Sequence, residues 1–586
     1  MKSIRQFSYF SLWFALGWIL NACSLPSFNS PQLTPSQLIL PSTAPPSPSA
    51  SPSETSPPLT DLPTNPELPT PTTRLNSDPT PSPKPLTYWM SPALPHELRQ
   101  AVRLPEGSLE AAQAEGADFR LEIGDRNPVS HWIYTLVTPF PTITDDINRD
   151  ELTATWNGVP STAFPDQPLL MSAESYATLA AWWGKAAPGA VEIIPTAELL
   201  NYAWEHRPTW AILPFEQLEP RWKVLSIDGI SPVHKEFDPS AYFLTLPVSL
   251  IKADESPPAT LPEGMTFPLS NRDPEKMTVV DLTGVTALVR GTAWMMEYYG
   301  ITYPAQDISA TLRSADLTHI SNEIPFSEEC PFPDIHQQGL VFCSNPSYIE
   351  LLDNVGTDLV ELTGDHFGDY GDEAMLSTLD MYHQRDWLTF GGGENANVAR
   401  QPILVEHNDN KLAFLGCNIG CQVKTEIPCT ALATESHPGA AACDFPWLEG
   451  EIRRLRAEGY QVIVNIQHKE YFTYTAQPLL VEDFGRLAAA GANIVSGTQA
   501  HQPHGFAFEQ GAFLHYGLGN LFFDQYNFCA DGGCNNAFID QHIFYDGRHI
   551  SAELIPIRFV DMARVRLMTP EEKARFLPVI FAASGW

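Results

Sequence analysis

Three short apolar runs between residues 460 and 525 restrict what this chain can fold into more than any other feature. YQVIVNI ends in Gln467-His468-Lys469-Glu470-Tyr471, and a helical piece, VEDFGRLAAAG, follows. ANIVSG then ends in Thr498-Gln499-Ala500-His501-Gln502-Pro503-His504, and AFLHYGLGNLFFDQ closes the stretch. Short β-branched runs alternating with a helix predict a buried sheet joined by crossovers. Open sheets of this kind place ligands just past the C-terminal ends of their strands. His468 and His501 stand at two successive strand ends and are expected to converge on one metal or one substrate. Taken singly, each is better explained as a loop or interface histidine, and it is the paired strand-end placement that brings the two readings level.

A chain of 586 residues exceeds what one core organises, so two or more domains are expected. Its formal charge of −35, from 69 acidic against 34 basic residues, argues against nucleic acid or an anionic membrane surface as the main partner. The N-terminus combines Lys2 and Arg5, an apolar run, and Leu20-Asn21-Ala22-Cys23. That is a secretory signal over residues 1–22 rather than a structural helix. LNAC resembles a bacterial lipobox, which implies lipidation of Cys23 and anchoring outside the cytoplasm. No later segment has the roughly 18 apolar residues of a spanning helix.

Residues 23–85 are dominated by Pro, Ser and Thr, a composition that cannot bury enough surface to offset the entropy of ordering, and read as a tether. Residues 86–259 alternate strand-like pieces (HWIYTLVTPF, AVEIIP, WAILPF) with helical ones (AESYATLAAWWGK, TAELLNYAWEH) and predict a smaller α/β domain. WIYTLVTPFPTITDDINRDELTATWNG and WAILPFEQLEPRWKVLSIDG resemble pieces of a periplasmic solute-binding protein. Trp156, Trp182, Trp183, Trp204 and Trp210 are expected in its core, with a ligand pocket as the alternative. Residues 260–586 form the second domain. Its tail predicts two strands around an Asp546-Gly547 turn, then a helix capped by Thr569 and opened by Pro570, with a structural role.

Apart from Cys23, eight cysteines remain, all in the second half: Cys330, Cys343, Cys417, Cys421, Cys429, Cys443, Cys529 and Cys534. An even number in an exported chain favours disulfides. Local spacing suggests Cys330–Cys343 and Cys529–Cys534, with two bridges among the other four. A zinc site at Cys417-x3-Cys421 is the alternative.

HKEY, GANIVSGTQAHQPHGF and YGLGNLFFDQ resemble later motifs of the CapA family, named for poly-γ-glutamate capsule synthesis. The resemblance runs from about Met277 to the C-terminus. It implies a calcineurin-like metallophosphoesterase fold, a four-layer α/β/β/α sandwich with metal ligands at strand ends. Of the first motif, Gly284 and Arg290 fit, but Val285 occupies the ligand position, and Asp281 lies four residues earlier. Asn322 fits the second, with its glutamate displaced to Glu323. In the third, Asp365 replaces an asparagine, His366 is the expected acid, and Asp369 and Thr378 shape the loop. His468, Glu470 and Tyr471 fit the fourth, Gln499 replaces one histidine of the fifth while His501 remains, and Asn520 supports the site from the closing motif.

Fewer anionic ligands mean weaker binding of divalent cations, so at most one metal (manganese, zinc or iron) is expected. The resemblance therefore implies two readings. In the first, a metal-dependent hydrolase or transferase acts on an anionic envelope polymer or phosphoester. His366 is its acid, positioned with Asp369, and Asn322, Asp365, His468 and His501 are candidate ligands. Arg290, Glu323, Glu470, Gln499 and Asn520 line the pocket. In the second, a non-catalytic polymer- or solute-binding lipoprotein keeps the fold and has lost turnover.

Overall fold

The computed structural model describes residues 84–164, 167–422, 429–526 and 528–586, which fall in one compact unit. The signal segment, Cys23 and the tether up to residue 83 lie outside the described residues. No helix among the described residues is long and apolar enough to cross a membrane.

The first half builds a ten-stranded mixed sheet around the strand Pro128–Pro139, which pairs on one side with Thr245–Lys252 and on the other with Trp210–Pro214 and Trp222–Ile227. Nine of its twelve residues are buried, as the apolar run HWIYTLVTPF demands. Helices Ala173–Trp183 and Thr196–Glu205 pack against this sheet. The first is started by Ser172, whose side chain accepts from the Ser175 N–H. Trp156 and Trp210 are core, Trp182 and Trp183 pack against that core, and Trp204 stacks edge-on to Trp586. These indoles fill space between elements rather than line a pocket.

The second half contains two large sheets face to face. One has nine strands, with Leu388–Phe390, Leu359–Glu361, Leu317–Asn322 and Met277–Thr283 parallel and the hairpin Asn536–Tyr545/Arg548–Phe559 antiparallel beside them. The other has six, with Asn410–Asn418, Gln461–Gln467, Ile494–Gly497 and Ala512–His515 parallel at its centre. Val280, Leu282, Leu359 and Phe544 from the first meet Leu412, Phe414, Ile463, Ile494 and Phe513 from the second. Helices Arg290–Tyr299, Ile349–Asn354 and Gly371–His383 cover the outer face of one sheet, and Phe445–Ala457 and Pro478–Ala490 that of the other.

The run AFLHYGLGNLFFDQ does not form one strand. Ala512–His515 belongs to the six-stranded sheet and Asn520–Phe522 to the nine-stranded one. The chain crosses between them at Gly519, whose φ of 85° suits a residue without Cβ. The Asp546-Gly547 turn has both residues at positive φ, 49° and 73°, as a two-residue hairpin requires. Thr569 and Glu572 form a reciprocal capping box at the start of helix Pro570–Ala583.

Four disulfides form: Cys330–Cys343, Cys417–Cys443, Cys421–Cys429 and Cys529–Cys534. Cys417 and Cys421 each pair elsewhere, so they do not hold zinc together. Four bridges in one domain match an oxidising compartment.

Candidate functional site

The C-terminal ends of four parallel strands, two from each sheet, bring the candidate residues to one edge of the sandwich. Leu317–Asn322 delivers Glu323, Leu359–Glu361 delivers Asp365 and His366, and Gln461–Gln467 and Ile494–Gly497 deliver Gln467 and Gln499. Glu323 and Asp365 can approach because Gly364 lies between them: a Cβ there would sit 2.3 Å from the Glu323 carbonyl oxygen. Glu323 is buried, its Oε2 has no partner among the described residues, and burial plus the neighbouring Asp365 holds its carboxyl well above the usual range. The Gln467 amide fills the space between these groups. Its Nε2 faces Asp365 Oδ1 at 3.2 Å and Glu323 Oε1 at 3.5 Å, and donates to Gln499 Oε1.

Across the pocket, the His366 Nδ1–H donates to Asp369 Oδ2 at 2.7 Å, and the Phe342 N–H donates to the same oxygen at 2.8 Å, fixing that carboxylate. Burial alone would drive His366 towards neutrality. The Asp369 hydrogen bond and the charges of Glu323 and Asp365 outweigh it and push the imidazole up to about 9, so it is a cation at neutral pH. The Phe342 ring lies 4.6 Å from the His366 ring and 4.5 Å from the Arg290 guanidinium carbon. Arg290 forms no ion pair within 4.0 Å among the described residues, and its Nε is buried without a partner. Its φ of 51° is a conformation that L side chains avoid.

His501 donates Nδ1–H to Asn520 Oδ1 at 2.8 Å and turns Nε2 towards Glu470 Oε1 at 3.6 Å. Burial raises the Glu470 carboxyl, partly offset by His501. Asn322 donates to Ile324 O and Tyr382 Oη, both at 2.7 Å, leaving Oδ1 buried and unpartnered. Thr378 accepts the Phe326 N–H at 2.8 Å and so shapes the loop after that strand.

His468 does not join them. Its Nδ1 accepts the Lys469 N–H at 2.8 Å and its Nε2 donates to Asp483 Oδ2 at 3.1 Å on helix Pro478–Ala490, so both ring nitrogens are committed away from the pocket. Val285 is buried with Val289, Ile324, Phe342 and Phe523, putting hydrocarbon where the resemblance expects a ligand. Asp281 is buried lower in the strand, bonded to Gln541 at 3.0 Å, and burial pushes its carboxyl up to about 7.

These donors do not fit the metal centre that the resemblance implies. One histidine is tied down, one ligand position is apolar, and an amide N–H stands between the two carboxyls a cation would bridge. Among the described residues no three His, Cys, Asp or Glu side chains are grouped to hold a metal ion.

Sequence reasoning missed Gln467, Phe342 and a buried network beneath the pocket. There Glu361 accepts from His319 Nε2 (3.2 Å), Asn465 Nδ2 (3.0 Å), Thr498 Oγ1 (2.8 Å) and Thr363 Oγ1. Strand alternation carried the signal: Asn465 and Gln467 share one face of Gln461–Gln467, and His468 faces the other way. Three disulfides lie close to these residues. One ends next to Phe342, another places Cys429 Sγ 3.9 Å from Asp365 O, and exposed Phe472 and Phe528 rings lie 5.5 Å apart near a third.

Residues 275–525 match the family model described as bacterial capsule synthesis protein PGA_cap. The capsule biosynthesis protein CapA of Bacillus anthracis is 22% identical over 263 residues, which are 44% of this chain and 62% of that protein. The match thus spans less than two thirds of that relative. Among solved structures, a hypothetical protein from Thermus thermophilus aligns at 15% identity over 47% of this chain and 98% of its own, with a TM-score of 0.29. An ABC-type phosphate transport receptor from Vibrio cholerae aligns at 12% identity over 28% of this chain and 85% of its own, with a TM-score of 0.23.

Proposed function

Taking the segment 275–525 as a member of the bacterial capsule synthesis family, we propose that the chain is a cell-envelope protein of CapA type acting in biosynthesis of a capsule or other extracellular polymer of poly-γ-glutamate kind. In this reading, residues 260–586 have a metallophosphoesterase-type fold whose metal centre has degenerated. A solute-binding-like domain over 86–259 precedes it, and the tether joins both to a lipidated Cys23 outside the cytoplasm. The pocket receives an anionic group of the polymer, or a phosphoester.

The observation that carries this is the Arg290 guanidinium against the Phe342 ring, with no carboxylate within 4.0 Å among the described residues, beside the His366 imidazole that Asp369 already pairs. A half-buried guanidinium without a carboxylate partner is a fork of donors awaiting one. Burial and the neighbouring Asp365 raise the Glu323 carboxyl well above its usual range, which weakens its opposition to an incoming anion. A second reading, hydrolase or transferase, is favoured by the His366–Asp369 pair at 2.7 Å, which supplies a positioned proton donor.

Calorimetric titration of the full chain with poly-γ-glutamate, beside Arg290→Gln and a bis(p-nitrophenyl) phosphate hydrolysis assay with manganese, separates the two. Polymer binding weakened about tenfold or more in the variant, without hydrolysis, is the expected result. Hydrolysis abolished by His366→Ala selects the enzyme. No polymer binding by the parent chain sinks the binding reading.

A further inference from the structure

A cleft of about 190 Å³ lies away from the candidate site, between the first half of the chain and the C-terminal helix Pro570–Ala583. Its apolar wall is formed by Phe140, Val224, Ala552, Leu577 and Phe581. At one end, Asp145 stands between two ammonium groups, with Lys223 Nζ at 2.7 Å and Lys573 Nζ in direct contact. Both lysine side chains are largely buried, at 17% and 15% exposed, so neither is a freely solvated surface charge. Ser226 adds a hydroxyl at the wall, and a His234–Glu553 pair at 3.1 Å closes the other side.

The two lysines are not equivalent. Lys223 also donates to Thr142 O at 2.7 Å and reaches Ile143 O at 3.4 Å, so its three N–H groups are committed. Lys573 bonds only Asp145 among the described residues, leaving two N–H groups for the cleft. The hydrogen bond to Glu553 raises the His234 imidazole and engages that carboxylate at the far side of the cleft, away from Lys573. At the Asp145 end two lysine side chains stand against one carboxylate, with burial lowering Lys223 to about 8, in a chain of net charge −35. Unneutralised charge held out of water is costly, and one carboxylate from outside would neutralise it with direct hydrogen bonds.

We propose that this cleft is a binding site for a small organic monocarboxylate, whose carboxylate is held by Lys573 and Ser226 and whose hydrocarbon body lies on Leu577, Phe581 and Phe140. A space of about 190 Å³ accommodates several waters and so a chain of a few carbons.

The test is calorimetry on the full chain with sodium hexanoate, 1-hexanol and hexylamine as probes. Hexanoate is expected to bind at least about tenfold more tightly than the other two, and Lys573→Gln to erase that preference. Ser226→Ala, which keeps both ammonium groups and so preserves folding if Lys573→Gln does not, is expected to weaken hexanoate several-fold. Hexanoate binding no better than hexanol, or unchanged in Ser226→Ala, would overturn the proposal and leave Asp145 and its lysines as a structural clamp.

Discussion

Replacing Gln467 by leucine tests whether an amide does the work of a cation in the pocket. The side chain keeps its approximate volume and loses the amide NH2, whose two N–H donors are shared among Asp365 Oδ1, Glu323 Oε1 and Gln499 Oε1. One of these contacts is close and two are long, so the loss is less than three full hydrogen bonds. At ~1–3 kcal/mol for each buried acceptor left unsatisfied, Gln467→Leu is expected to cost about 2–4 kcal/mol at pH 7.

The sign with pH follows from Glu323, whose carboxyl is raised in the folded state by burial and by Asp365. A raised carboxyl contributes stability fully present below its ordinary value of 4.5 and lost as pH rises through the folded value. Without the amide, the two carboxyls repel more strongly, so the deficit of the variant grows from pH 4.5 towards pH 7. Urea unfolding of both proteins across that range measures it. A deficit absent at pH 7, or equal at both ends, refutes the idea that Gln467 holds the carboxyls together.

Other expectations follow from single contacts. His504 is buried and His549 half-buried, and desolvation pulls them down to about 4 and about 3 from 6.5. Depressed histidines stabilise the fold above pH 6.5, and that stability is lost as pH falls towards 4. His504→Gln should flatten an acid-unfolding curve by up to about 3 kcal/mol. The Cys330–Cys343 bridge closes a 13-residue separation, so Cys330→Ser with Cys343→Ser is expected to cost about 3 kcal/mol in urea unfolding. The same variant should lower the His366 imidazole in an NMR titration, because Phe342 no longer steadies Asp369. Gly284→Ala would place a methyl group 1.9 Å from the Gly519 carbonyl oxygen, and a loss of soluble folded protein is expected on gel filtration.

Much of the scaffold was legible because it rests on local rules. The apolar runs ending at Gln467 and Gly497 became parallel strands, Asp546-Gly547 made its hairpin, and Thr569 capped its helix. The two short cysteine pairs formed, whereas the pairing of the other four depends on how distant strands stack. The site was less legible because motif spacing fixes a residue's position but not the direction of its side chain. His468 stands where the family motif places a ligand, yet it turns to Asp483 on the neighbouring helix. Gln467, one residue earlier, takes the pocket. The splitting of AFLHYGLGNLFFDQ between two sheets was likewise invisible to a window read along the chain, since only Gly519 marks the crossing.

The order in which the nine-stranded sheet assembles carries a consequence for synthesis and export. Met277–Thr283, buried along its whole length, pairs with Leu317–Asn322 on one side and with Asn536–Tyr545 on the other. The contact between Asp281 and Gln541 joins residues 260 apart in the chain. Such long-range pairing is slow, and a hydrophobic strand with one open edge recruits other strands meanwhile. Until its last 50 or so residues are available, the nascent domain therefore carries an adhesive edge at its centre. A truncation that removes only the C-terminal hairpin and helix should leave the candidate site residues in the chain and yet yield an aggregating protein rather than a smaller active one.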